Sequence, residues 1–259
     1  MLERLERVWR IVATGLCFTT FGLGGLALRV LVFPCVRWST RDPERRAVRV
    51  KAIIRTTFRV FVAMMRRVGV LSLEIHGLEK LQGGGRLIVA NHPSLVDVVF
   101  LMSCIDRADC IVKSSLARNP FTRGPVVAAG FLCNDEGAGL VEDCVASVRR
   151  GNNLIIFPEG SRTPLPGTPP LPLQRGAANI AVRGEIDITP VRIRCHPPML
   201  AKGVPWYRVP PRRGHFVIEV CDDIPVAPFL QARSAAIATR ELTAHLTDYF
   251  SLEIRRAVT

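Results

Sequence analysis

The chain opens on an apolar run. Residues 11–28 hold no charge; Arg29 interrupts, and residues 30–36 are again uncharged. Eighteen helical residues rise about 27 Å, roughly a bilayer core. Gly15, Gly22, Gly24 and Gly25 lie inside the run, so a bend or a hairpin is as compatible with it as a straight span. Over residues 44–70 the pattern takes a helical period. Val50, Ile54, Phe58, Phe61, Met65 and Val68 project to one side, and Arg45, Arg49, Lys51, Arg55, Arg59, Arg66 and Arg67 to the other. Such a helix suits a headgroup interface or the surface of its own domain; the neighbouring apolar run favours the interface.

From residue 71 the period shortens. Residues 71–76 alternate as a strand, and a glycine turn at 82–85 leads into a buried strand at 86–91. A helix follows through Val98–Met102, then strands at 109–113 and 130–134 and a helix over 135–150 that Gly151 ends. Residues 153–157 form another buried strand, and residues 164–172 a proline-rich loop. A helix at 174–182, strands at 187–194 and 216–221, and a closing helix at 231–256 complete the pattern. Strands alternating with helices predict an α/β sheet with its site in the loops at strand ends.

Charge divides the chain. Its formal net charge is +13, and residues 1–69 supply +10 of it. The remainder is nearly neutral, which argues against a nucleic-acid-binding core and suits an anionic membrane met by one end of the protein. With 48% hydrophobic residues and a mean hydropathy of +0.23 the chain is too apolar to be disordered. Arg4, Arg7 and Arg10 before the apolar run resemble the start of a signal peptide, but no clean small-x-small cleavage site follows. Arg37, Arg41, Arg45 and Arg46 lie after it, so both flanks read as cytoplasmic and the protein is expected on the cytoplasmic face of the inner (cell) membrane. The eight cysteines form no Cys-x-x-Cys pair and read as reduced, mostly buried thiols. No metal site is expected.

Two segments carry chemistry. In Asn91-His92-Pro93-Ser94-Leu95-Val96-Asp97 an imidazole ends a strand and a carboxylate stands in the first turn of the next helix. A neutral imidazole can accept a hydroxyl proton, and a carboxylate on its other nitrogen fixes the tautomer. Ser94 and Asp97 also have the spacing of a capping box, which leaves His92 without a role. The second segment, Phe157-Pro158-Glu159-Gly160-Ser161-Arg162-Thr163, follows another buried strand and reads as an anion or substrate cradle, or as a polar turn.

Taken together, Asn-His-x4-Asp and Phe-Pro-Glu-Gly-Ser-Arg-Thr some sixty residues on resemble the glycerolipid acyltransferases of the lysophosphatidic acid acyltransferase type, over about residues 70–225. Lys113-Ser114-Ser115-Leu116 and Ile188-Thr189-Pro190-Val191 are similar to further family stretches, and the chain also resembles acyltransferases that accompany aryl polyene lipid clusters. The resemblance implies a mixed sheet flanked by helices. It divides the chain into a membrane module at 1–69 (an inserted hairpin plus the basic amphipathic helix) and an acyltransferase domain at 70–259. It implies His92 as general base with Asp97 holding it, and Glu159, Gly160, Ser161, Arg162 and Lys113 as substrate-binding residues. It implies no cofactor: the donor is an acyl thioester on acyl carrier protein or coenzyme A, the partners are membrane lipids, and backbone N–H groups near Gly160 are expected to hold the oxyanion. One position departs from the family. Glu136 stands where an arginine for the acceptor's phosphate is expected, which points toward an acceptor with less charge, such as a non-phosphate lipid or a secondary metabolite. The chain has no Gly-x-Ser-x-Gly elbow and no P-loop. A non-enzymatic basic membrane-binding protein would leave both motifs without use.

Overall fold

The computed structural model describes residues 2–134, 139–165 and 172–256. The apolar run is one continuous helix: α1 (Leu2–Ala27), a π-helical turn (Leu28–Val32) and α2 (Phe33–Ser39). Pro34 lacks the N–H a regular turn would use, and the π turn just before it absorbs the mismatch without breaking the helix. The turn comes afterwards. Asp42 caps α3 (Pro43–Arg67) by accepting from Glu44 N and Arg45 N, with Pro43 in the first helical position.

The hairpin expected inside residues 11–36 is therefore not formed there; the chain reverses at residues 40–42, between two long helices. Gly25 of the run serves close contact instead of bending, as does Gly124 of the body. A Cβ on Gly25 would lie 2.3 Å from Phe121 O, and one on Gly124 would lie 2.4 Å from Arg29 Cβ. These positions let the helix lie directly on the body.

The amphipathic helix α3 also differs from the interface expectation. Its apolar side is covered by the chain itself, with Val50, Ile54, Val62 and Met65 buried. Lys51, placed by helical period among the arginines, turns inward: its Nζ lies 3.0 Å from Asp109 Oδ2, with both side chains about 5% exposed or less. Ser147 Oγ donates to the same oxygen at 2.6 Å. An ion pair taken out of water persists only with such added partners, and here it joins α3 to the sheet.

Among the described residues the sheet has seven strands: β1 (Leu71–His76), β2 (Leu87–Ala90), β3 (Ala108–Val112), β4 (Leu132–Cys133), β5 (Asn153–Ile156), β6 (Ile188–His196) and β7 (Gly214–Val220). Their order is β1-β7-β6-β2-β5-β3-β4, and only β6 and β7 run antiparallel, so the sheet is mixed as expected. All four residues of central β2 are buried. Ile88 and Ala90 face the larger core beneath α3 and α4 (Asp97–Cys104), while Leu87 and Val89 face a second core. That second core is closed by α7 (Leu140–Arg149), α8 (Gly176–Gly184) and α10 (Ala235–Arg256). Helices on both faces explain why β2 is wholly apolar and not alternating. The helix expected from 135 begins at Leu140, residues 135–138 lying outside the described part. The closing helix begins at Ala235, after a short α9 (Ala227–Leu230). Residues 114–118 and 123–129, without a clear periodic signal, form α5 (Ser114–Arg118) and α6 (Arg123–Ala129).

Candidate active site

Strands β2, β5 and β3 are parallel neighbours, so their carboxyl ends share one edge of the sheet. His92, Phe157 and Lys113 follow those three ends. Asn91 locks the edge: its amide donates to Ile193 O at 2.8 Å and its oxygen accepts Ile193 N at 2.7 Å. The side chain thus continues the backbone ladder between β2 and β6 where the peptide chain turns away.

His92 and Asp97 meet. Nδ1 of His92 lies 2.9 Å from Asp97 Oδ2, and the same oxygen accepts Ser94 N at 2.6 Å. The carboxylate is fully buried and the imidazole 17% exposed. Burial pushes the Asp97 carboxyl up, against the pull of its hydrogen bonds to His92 and Ser94. A carboxylate at Oδ2 makes Nδ1 the protonated nitrogen and leaves Nε2 as the basic one. Nε2 has no partner among the described residues. The imidazole stacks on Phe157 at 4.3 Å between ring centroids and 25° between planes. Half of the capping box is also present, since Asp97 accepts Ser94 N, but Ser94 Oγ is buried without a partner. One carboxylate serves both the helix start and the imidazole.

The second motif clamps the first from below. His92 N donates to Thr163 Oγ1 at 2.9 Å and to Glu159 Oε1 at 3.2 Å, while Thr163 N donates to His92 O at 2.7 Å. Thr163 Oγ1 in turn donates to Glu159 Oε1. Burial raises the Glu159 carboxyl above its ordinary range, opposed by the bonds from Thr163 and His92. Glu159 therefore holds the histidine's main chain. Arg162 Nη1 donates to Leu200 O at 2.7 Å and Ala201 O at 3.0 Å, pinning the β6–β7 connection beside the site. Leu95 N reaches the same Leu200 O at 3.2 Å. Gly160 has φ +61, open to glycine at little cost, and its N–H closes a turn onto Phe157 O at 3.1 Å. That amide, one of those expected to face an oxyanion, is already occupied. Ser161 lies beside it, partly buried. Lys113 is exposed at the end of β3, two strands from β2, and has no side-chain partner among the described residues. Glu136 lies outside the described residues.

Sequence reasoning brought His92, Asp97 and Glu159 to one place but missed Phe157, Thr163 and Asn91 as parts of it. Each stands within a quoted motif; the signal was present, and only the pairing across strands was not.

Comparison with known proteins gives similarities in sequence and in fold. A family model described as Acyltransferase matches residues 72–194. The chain is 30% identical over 160 residues to acl-2 of Caenorhabditis elegans, covering 58% of this chain and 55% of that one. It is 32% identical over 114 residues to the 1-acyl-sn-glycerol-3-phosphate acyltransferase of Helicobacter pylori, covering 42% and 48% of the two chains. This chain thus spans about half the length of these curated relatives. The crystal structure of the 1-acyl-sn-glycerophosphate acyltransferase PlsC from Thermotoga maritima superposes with a TM-score of 0.72 at 16% identity, covering 99% of this chain and 98% of that one, which establishes a shared fold. Residues 72–194, which hold the histidine, its carboxylate and the glutamate clamp, match the Acyltransferase family model and are similar to 1-acyl-sn-glycerol-3-phosphate acyltransferases.

Proposed function

We propose that the protein is a membrane-associated O-acyltransferase that moves a fatty acyl group from a thioester, on acyl carrier protein or coenzyme A, to a lipid hydroxyl of the lysophospholipid type. The observation that carries this reading is the His92–Asp97 pair, held at the carboxyl end of a buried strand with Nε2 left unpartnered. Nε2 takes the proton of the acceptor hydroxyl as its oxygen attacks the thioester carbonyl carbon. The tetrahedral intermediate collapses, the C–S bond breaks, and the thiolate recovers the proton from the imidazolium. Asp97 stabilises the cation between the two steps. No bond to the enzyme forms and no redox change occurs.

Acceptor binding is assigned from availability. Arg162 is committed to two carbonyls, whereas Lys113 is free at the same sheet edge, so Lys113 is the cation that meets an acceptor anion. Glu136 in the sequence supports the second reading, an acceptor carrying little charge near the reacting hydroxyl. Membrane association rests on the 36-residue apolar helix Arg4–Ser39, of which only 11% of the most apolar stretch is buried. Leu5, Val8, Val12, Leu16, Leu23 and Val30 stand exposed along it at helical spacing. Its basic flanks support attachment with the catalytic edge on the cytoplasmic side.

The test uses the purified chain in detergent with acyl-coenzyme A or acyl carrier protein as donor. Lysophosphatidic acid and an uncharged monoacylglycerol are offered as acceptors, and product is read by mass spectrometry. His92→Ala should lower turnover by about 10²–10⁴-fold or more without loss of folding. Near-wild-type turnover in that variant would overturn the assignment. Efficient use of lysophosphatidic acid, unchanged by Glu136→Arg, would dismiss the second reading.

A further inference from the structure

A cavity of about 920 Å³ lies between the start of α1, the end of α3 and the connection from β6 to β7. It shares no lining residue with the His92–Asp97 site. Trp9 forms one wall, its indole N–H fixed to Val68 O at 3.0 Å. Arg10, Arg212 and Arg213 line it, and Glu6 is the acidic residue that faces them. Arg10 is built in. Its side chain is 11% exposed, it donates to Pro211 O, it lies 3.6 Å from Glu6, and its Nε is buried without a partner. Arg212 and Arg213 are exposed at the mouth and have no hydrogen bond or ion pair among the described residues. His215 is already engaged by Ser72 Oγ at 2.9 Å and by Glu74 at 3.6 Å.

Three guanidinium groups therefore face one carboxylate around a space large enough for a ligand headgroup. Three like charges around one carboxylate leave a positive excess, and an anion relieves it. Guanidinium forks match the oxygens of a phosphate better than they match a point charge. The exposed Leu5, Val8 and Val12 of α1 continue from the turns that supply Glu6, Trp9 and Arg10. A phosphate held here could keep an attached acyl chain along that apolar stripe.

We propose that this cavity is a second, non-catalytic binding site for a phosphate group, with the headgroup of an anionic lipid as its source. The site is independent of acyl transfer, so its test contains no donor. The full chain in neutral detergent carries Trp38→Phe and Trp206→Phe, which leaves Trp9 as the reporter. Its emission is followed during titration with dihexanoyl phosphatidic acid and, separately, inorganic phosphate at constant ionic strength. A saturable change is expected. Arg212→Gln/Arg213→Gln should weaken it about tenfold or more. The charge-matched Arg233→Gln/Arg240→Gln pair, outside the cavity, should stay within about twofold. His92→Ala should bind as the parent does, which separates this site from the catalytic reading. Tighter binding of the lipid than of inorganic phosphate supports the headgroup as the source; equal binding supports the site with a soluble phosphate as its ligand. No saturable change with either probe, or equal losses in the two double variants, would overturn the proposal.

Discussion

Replacing Asp97 by asparagine separates two roles of a carboxylate, the choice of tautomer and the stabilisation of charge. In the structure both donors, His92 Nδ1–H and Ser94 N–H, converge on one oxygen, Oδ2, while Oδ1 is buried without a partner. An asparagine that turned its NH2 toward His92 would set a donor against Ser94 N, 2.6 Å away in the parent. The amide oxygen therefore stays at the Oδ2 position, the NH2 takes the empty Oδ1 position, and Nδ1 remains protonated. Only the charge is lost. Two unit charges about 4 Å apart interact by about 4 kcal/mol at an effective dielectric of about 20. The imidazolium is delocalised and its proton only partly transferred in the transition state, so about 2–3 kcal/mol of that is realised. Such a loss lowers kcat by about 10²-fold. A wrong tautomer costs about 10⁴ in the well-studied hydrolase triads. Turnover can be followed by thiol release from the acyl thioester, and the tautomer by ¹⁵N NMR of histidine-labelled protein. A His92 ring protonated on Nε2 in Asp97→Asn, or a kcat within about tenfold of the parent, would refute the reasoning.

The two neighbouring glycines of α1 should behave oppositely. Gly25→Ala drives a Cβ to 2.3 Å from Phe121 O and should destabilise by about 1–3 kcal/mol, while Gly24→Ala meets nothing within 4 Å and should gain up to about 1 kcal/mol of helix propensity; equal melting temperatures would contradict the docking of α1. Lys51→Met strands a buried Asp109 and should cost about 3–5 kcal/mol, at about 2–4 °C in Tm per kcal/mol, so a shift under about 4 °C would mean the pair contributes little. Because burial raises the Glu159 carboxyl, the folded protein holds that proton more tightly than the unfolded chain. Stability from this group is greatest below the ordinary glutamate range and falls as pH rises from there through the raised value. Glu159→Gln should remove that slope while keeping an acceptor for His92 N, and urea midpoints across acidic pH that decline equally in both proteins would refute the assignment.

The sequence by itself determined the class of fold and singled out His92 and Asp97 as a candidate pair. Short apolar runs such as 87–90 and 154–157, bounded by turn residues, read as strands covered on both faces, and His92 and Asp97, five residues apart across a strand end and a helix start, meet through local geometry. Contacts that span the chain were decided by tertiary structure. Period assigned Lys51 to the arginine side of α3, but the carboxylate that draws it inward lies on β3, 58 residues away. Arg162 looked free to bind an anion until residues 200 and 201 brought their carbonyls to it. Gly22, Gly24 and Gly25 read alike as bend points, yet the approach of residue 121 makes Gly25 indispensable and leaves Gly24 open. In each case the deciding partner is remote in sequence, and the pattern of a segment encodes which face is apolar but not what comes to cover it.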